Sequence, residues 1–102
     1  MISPQFFRED RDGRVIVIAT GDIDLGNVER FSDVLRQAAG DGQPVVVDMV
    51  DVTYCDSAGI RALFKAGAGA GLTLRIDRAG PLKKLLDISG LDRVTVVELT
   101  DR

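Results

Sequence analysis

The sequence of 102 residues contains no histidine, no tryptophan and only one cysteine. The lack of histidine removes the most frequent general base, the commonest ligand of transition metals and the side chain that titrates near neutral pH. Cys55 alone can form neither an internal disulfide nor a cysteine-cluster metal site. Four phenylalanines and one tyrosine are too few for an aromatic platform that stacks on bases. These absences argue against most enzyme classes, and we expect neither a metal nor another cofactor.

Neither charge nor hydropathy marks the chain for a nucleic acid or a membrane. The 13 basic and 16 acidic residues are mixed along the sequence, whereas nucleic-acid binding depends on clustered Lys and Arg. The longest apolar runs, such as Val15–Ala19, are far shorter than the roughly 20 residues that span a bilayer. The first five residues lack the pattern of a signal peptide. We therefore expect a cytoplasmic protein with protein or small-molecule partners, formed as one domain over residues 1–102.

Apolar and alternating runs predict a sheet. The expected strands are Val15–Ala19, Val45–Val47, Leu72–Ile76 and Val94–Val97. Phe6 and Phe7, which precede the turn signal Asp12-Gly13, are candidates for an antiparallel partner strand. The continuously apolar runs at Val15 and Val45 are typical of central strands, and the alternating run at Leu72 is typical of a strand nearer an edge.

Three helices are expected between these strands. Apolar residues recur with helical spacing in Asp24–Ala39, Ser57–Gly67 and Pro81–Ser89. Asp24 is a plausible N-cap of the first helix, and Gly90 suits the left-handed position that follows the third. Strands that alternate with helices predict an α/β domain, with a mixed and mostly parallel sheet of four to five strands packed with helices.

The most informative segment is Val45–Leu63, with the sequence VVVDMVDVTYCDSAGIRAL. We expect a buried strand that ends at Asp48, an irregular stretch, and a helix that opens with Asp56-Ser57-Ala58-Gly59. Ser57 then lies where free amides and the helix dipole favour a phosphate. Gly59 has no side chain, so another backbone or a bulky group is able to approach it closely.

This segment resembles the STAS domain family, and within it the bacterial anti-sigma factor antagonists. The family pattern is an apolar strand ending in Asp and, a few residues later, two apolar residues before Asp-Ser-small-Gly-apolar. Here it reads as Val45–Asp48 and Tyr54–Ile60. A second family feature, Gly-acidic-x-Asp after an earlier strand, is matched by Gly21–Asp24. The resemblance extends from Phe7 to Glu98 and implies a STAS-like fold.

The resemblance also implies a regulatory cycle of transcription, of the kind used in stress responses. The unphosphorylated antagonist binds an anti-sigma factor that is also a serine kinase, and a sigma factor is freed. The kinase phosphorylates Ser57 and the complex weakens, until a serine phosphatase reverses the modification. The residues that the resemblance places in the partner-binding surface are Asp22, Asp24, Asn27, Asp56, Ser57, Ala58, Gly59 and Arg61.

Several other interpretations stay open at this point. Ser57, Asp24 and Asp56 could each be a plain helix cap. Asp48 is read as structural, closing the end of a strand, and Cys55 as a small buried hydrophobe. A catalytic Ser57 needs a base, which a chain without histidine does not readily supply. A STAS subunit or sensor associated with a transporter is the alternative function, because fold does not decide function.

Overall fold

Five strands form a single sheet, in the order in which they follow one another along the chain. The computed structural model describes residues 3–40, 42–69 and 71–101. Within them the strands are β1 Gln5–Arg11, β2 Arg14–Ile23, β3 Val45–Cys55, β4 Leu72–Asp77 and β5 Val96–Thr100. The helices are α1 Val28–Ala39, α2 Ser57–Gly69 and α3 Leu82–Ser89, with a 3₁₀ turn at Leu91–Arg93.

The sheet is antiparallel at one edge and parallel elsewhere. β1 pairs with β2 in an antiparallel hairpin, in which Phe7 lies opposite Ile18. Asp12 and Gly13 both have positive φ, 54° and 74°, as the two central residues of a tight hairpin turn require. The pairs β2–β3, β3–β4 and β4–β5 are all parallel. This confirms the predicted mixed α/β sheet.

The core lies on one face of this sheet. Alternate residues of β2, Val15, Val17 and Ala19, are buried in the same cluster as Phe31 of α1 and Leu63 of α2. Since side chains along a strand alternate between faces, the described helices pack against this one face. Leu82 and Leu86 bring α3 into the same cluster. Within the described residues, none of these helices has the length and apolarity needed to cross a membrane.

Helix ends differ from their predicted positions by a few residues. α1 begins at Val28, four residues after the predicted start, because residues 24–27 form a hydrogen-bonded turn instead. α3 begins at Leu82, directly after Pro81, and ends before Gly90, which has the predicted left-handed conformation with φ 78°. β5 begins at Val96 rather than at Val94, because the preceding residues follow the 3₁₀ turn.

β3 does not end at Asp48, and this prediction is wrong. The strand continues to Cys55, and its pairing with β2 shifts register between Ile18 and Thr20. At this irregularity Asp48 Oδ1 accepts a hydrogen bond from the Val50 amide at 3.1 Å. Asp48 is therefore structural, as expected, but it braces a bulge inside the strand.

Candidate partner-binding and phosphorylation site

The candidate site lies at the carboxyl ends of β2 and β3. Their register places Asp22 beside Tyr54 and Ile23 beside Cys55. One residue further, the Asp56 amide donates to the Ile23 carbonyl at 3.1 Å. Because parallel strands end at the same edge of a sheet, the chain that follows β2 and the start of α2 meet here.

Ser57 is the first residue of α2 and is exposed. Within the described residues its hydroxyl has no hydrogen-bond partner. The helix cap is Asp56, whose Oδ1 accepts hydrogen bonds from the amides of Ala58 at 2.9 Å and Gly59 at 3.3 Å. The sequence left the capping role open for Asp56 and Ser57; in the structure Asp56 caps the helix.

The amides at the start of α2 are already occupied, which corrects one expectation. Those of Ala58 and Gly59 bond to the Asp56 carboxylate, and that of Ile60 donates to the Asp56 carbonyl at 3.2 Å. A phosphate on Ser57 would therefore not find these amides free, as the sequence had suggested. It would be added beside a carboxylate that already holds them.

We expect Asp56→Ala to lower the free energy of unfolding by about 1 kcal/mol, since two amides lose their acceptor. Asp56→Asn is the matched control, because asparagine caps about as well while it removes the charge. Urea denaturation followed by circular dichroism measures both. An equal loss in the two variants would show that the charge of Asp56, rather than its capping geometry, stabilises the helix.

A hydrogen-bonded turn, residues 24–27, connects β2 to α1. The side chain of Asn27 holds it from inside: its Nδ2 donates to the Asp22 carbonyl at 2.8 Å, and its Oδ1 accepts from the Asp24 amide at 3.0 Å. The Asp24 carboxylate accepts from the Gly26 amide at 2.9 Å, as in an Asx turn. Asp24 is therefore a turn residue and not the cap of α1, which corrects that prediction.

Asn27 has a role that the sequence reasoning missed. Only 7% of its surface is exposed, so its side chain braces the turn from inside and does not face outward. It occupies the N-cap position of α1, yet its side chain makes no capping bond to that helix. An asparagine that follows Asp-x-Gly is a recognisable turn signal, but this signal does not say which way the amide points.

Three carboxylates at this edge have no cationic partner in the part of the chain that the structure describes. Within the described residues, no Lys or Arg forms a salt bridge with Asp22, Asp24 or Asp56, although seven such pairs lie elsewhere. Asp22 accepts a hydrogen bond from the Thr53 hydroxyl at 2.5 Å. Arg61, exposed and one turn after Ser57 on α2, is the nearby cation in sequence, and it too forms no salt bridge with a described residue. We call Asp22, Asp24 and Asp56 the acidic edge.

Gly59 fits the core of its own domain, not an approaching partner. A Cβ at this position would lie 2.5 Å from Cys55 Sγ and 2.9 Å from Ile23 Cγ2. Only a residue without a side chain lets α2 approach the ends of β2 and β3 this closely. The close approach that the sequence predicted at Gly59 is therefore made by Cys55 and Ile23 of the same domain.

Cys55 is buried, as expected for a small hydrophobe. Burial, followed by the neighbouring Asp56 charge, raises the pKa of its thiol to about 12. The thiol therefore stays protonated near neutral pH, and a protonated thiol is a poor nucleophile and metal ligand. The described residues contain no group of three or more Cys, Asp or Glu side chains placed to hold a metal ion.

A protein-family model described as "Mlab, STAS domain" matches residues 7–99. The chain belongs to the STAS domain family. Its fold is similar to an anti-sigma factor antagonist from Mycobacterium paratuberculosis, with a TM-score of 0.86, 20% identity and coverage of 97% of this chain and 88% of that one. It is also similar to the anti-sigma factor antagonist SpoIIAA in its unphosphorylated form, with a TM-score of 0.59, 16% identity and coverage of 98% and 89%. No curated protein matches.

For this STAS domain, the structural neighbours establish the architecture. Identities of 20% and 16% support a common fold, here a single α/β domain with a five-stranded mixed sheet and helices on one face. The STAS family resemblance expected from Gly21–Asp24 and Tyr54–Ile60 is confirmed. The same two segments form the edge that carries Ser57.

Proposed function

We propose that this STAS domain is an anti-sigma factor antagonist, controlled by phosphorylation of Ser57. Its unphosphorylated form binds an anti-sigma factor with serine kinase activity, in the cytoplasm, and a sigma factor is freed. The observation that carries this proposal is the exposed Ser57 hydroxyl. It has no hydrogen-bond partner among the described residues, and it directly follows Asp56 of the acidic edge, which forms no described salt bridge. Two structural neighbours that are anti-sigma factor antagonists support it.

Ser57 is suited to accept a phosphoryl group rather than to act as a nucleophile in an enzyme. A catalytic serine needs a base within hydrogen-bond reach, whereas the chain has no histidine and the Ser57 hydroxyl has no described partner. In the proposed reaction the partner kinase supplies that base. The γ-phosphoryl group of ATP is transferred to Ser57 Oγ, ADP leaves, and the hydroxyl proton passes to the kinase. A serine phosphatase then hydrolyses the ester and restores the hydroxyl.

Release follows from the charge that the phosphate adds. A phosphoserine carries roughly −1.5 to −2 charges near neutral pH. Here it would follow Asp56 directly, at the edge of the sheet that also carries Asp22 and Asp24, and none of these three carboxylates forms a described salt bridge. The amides of α2 are occupied by Asp56, so they offer the phosphate little compensation. A partner that covers this edge must then desolvate the added charge, and the complex weakens.

Phosphate mapping tests the proposal. The protein is incubated with Mg-ATP and each candidate anti-sigma serine kinase encoded in the same genome, and the product is analysed by mass spectrometry. We expect one phosphate, on Ser57, and none on the Ser57→Ala variant. Ser3, which is also exposed, serves as an internal control for selectivity. Transfer to another residue, or no transfer by any of these kinases, would contradict the proposal.

The second candidate is a STAS subunit or sensor associated with a transporter. The matching family model is described by the name Mlab and not as an anti-sigma factor antagonist, which keeps this candidate open. Co-purification with a membrane ATPase, together with an unmodified Ser57 after treatment with soluble kinases, would select it. Such a result would leave the fold and the family membership unchanged.

A further inference from the structure

We infer that Leu25 and Tyr54 are the apolar anchors by which this domain docks on its kinase partner. The inference rests on the proposed function, since it assigns a binding role at the same edge of the sheet. It adds two residues that the family resemblance did not place in the partner-binding surface. Both lie within the described structure, one in the turn after β2 and the other near the end of β3.

Both side chains are largely in contact with solvent. Leu25 is 78% exposed and Tyr54 is 54% exposed. Scattered exposed apolar residues are normal on protein surfaces and need no explanation by themselves. These two are distinguished by their position, because Tyr54 precedes Ser57 by three residues and pairs with Asp22. Leu25 directly follows Asp24.

The fold holds both residues in place before any partner arrives. The turn that presents Leu25 is fixed by the Asn27 side chain and by the Asp24 carboxylate, through bonds of 2.8 to 3.0 Å. Tyr54 lies in β3 between Thr53, which donates to Asp22, and the buried Cys55. Ordering a flexible segment reduces binding affinity, so anchors that are already ordered contribute more of their contact energy.

The charges around the anchors indicate the chemistry of the partner. The acidic edge has no described cationic partner, so a complementary surface presents Lys or Arg opposite Asp22, Asp24 and Asp56. Protein interfaces typically place aromatic and aliphatic anchors within such a polar surround. A kinase that fits this edge therefore has an apolar hollow for Tyr54 and Leu25, surrounded by basic side chains, beside its active site.

The test compares exposed apolar residues inside and outside the site. We expect Tyr54→Ala to weaken binding roughly 30-fold, the size of an aromatic hot spot, and Leu25→Ala roughly tenfold. Tyr54→Phe, which keeps the ring, should bind within about threefold of the unmodified chain. The matched controls are Ile88→Ala, at 74% exposure, and Val94→Ala, at 52%. Ile88 is near the end of α3 and Val94 precedes β5, so both lie toward the opposite end of the sheet.

Calorimetric titration measures each affinity, with an anti-sigma serine kinase loaded with a non-hydrolysable ATP analogue as the probe. Urea midpoints check that each variant is folded, since exposed substitutions should leave stability nearly unchanged. If Tyr54→Ala and Leu25→Ala bind as well as the unmodified chain, or no worse than the two controls, the inference is overturned while the proposed function stands. If the unmodified chain neither binds nor accepts phosphate from any of these kinases, the proposed function fails and the inference fails with it.

Discussion

Phosphorylation of Ser57 is expected to weaken binding to the kinase about a hundredfold, and Ser57→Asp at least tenfold. Ser57→Ala is expected to bind as well as the unmodified protein and to remain bound when ATP is added. The phosphate should have the larger effect because it carries roughly −1.5 to −2 charges, against −1 for aspartate. The alanine variant cannot be released, since it has no hydroxyl to modify.

The magnitude follows from charge repulsion in a site that the partner covers. Two like charges 4 Å apart repel by about 1 kcal/mol in water and by about 4 kcal/mol at an effective dielectric constant of 20. An interface that excludes part of the water lies between these limits, and a loss of about 3 kcal/mol corresponds to a hundredfold loss of affinity. Asp22, Asp24 and Asp56, which form no described salt bridge, already make this edge negative before the phosphate is added. A switch of this size requires no unfolding.

Titration of the kinase with each form, with ADP bound and again with ATP, measures this effect. Gln37→Glu is the control, because it adds one negative charge on an exposed residue near the carboxyl end of α1, away from the acidic edge. We expect its affinity to be unchanged. The electrostatic explanation fails if the phosphorylated protein and Ser57→Asp both keep full affinity. A higher salt concentration should reduce the loss of affinity in both the phosphorylated protein and Ser57→Asp.

Gly59→Ala is expected to lower the free energy of unfolding by about 2 kcal/mol. The new Cβ would lie 2.5 Å from Cys55 Sγ and 2.9 Å from Ile23 Cγ2, distances at which neighbouring atoms must move. Both neighbours belong to buried side chains, so α2 would have to shift instead. Alanine favours a helix over glycine by up to about 1 kcal/mol, and we expect the clash to outweigh this gain.

A double-mutant cycle identifies the cause of that loss. Cys55→Ala removes the sulfur atom, so it should recover part of the stability of Gly59→Ala, with a coupling energy of at least about 0.5 kcal/mol. Gly67→Ala is the control on the same helix, since its nearest contact would be Thr95 Cγ2 at 3.2 Å. We expect that variant to differ from the unmodified protein by less than about 1 kcal/mol. A fully stable Gly59→Ala would contradict the close approach of α2.

Elements with strong local signals could be predicted from the sequence. The run Val15–Ala19, the alternation at Leu72–Ile76 and the leucine spacing of α3 each depend on nearby residues alone, and each matches the structure. The position of Ser57 at the start of α2 was also predictable, because Asp and Ser directly before an apolar helical stripe are typical of a helix start. The packing of alternating strands and helices into a sheet covered by helices is common to α/β proteins.

The ends of β2 and β3 could not be predicted in the same way. The second half of β3 contains Asp51 and Thr53, which read as a loop, and it becomes a strand only because the end of β2 pairs with it. Two register shifts let this pairing continue, and no local pattern announces them. Since the candidate site is built on this extension, its geometry depends on long-range pairing.

Competition among capping residues also could not be resolved by sequence. Asp24 and Asn27, like Asp56 and Ser57, are all common at helix starts, and spacing alone does not choose between them. The choice follows from which carboxylate or amide reaches free backbone groups in three dimensions. Asn27 turns inward because the Asp22 carbonyl and the Asp24 amide lie within its reach.

The carboxylate of Asp56 also determines how the proposed switch could be reset. It accepts hydrogen bonds from the first turn of α2, and phosphorylation of Ser57 does not remove these bonds. We therefore expect the two forms to have the same backbone conformation and to differ only at the surface. A phosphatase would then return the domain to its starting state by cutting one ester bond, with no conformational barrier to cross. How long each form persists in the cell would be decided by the rates of the two opposing enzymes.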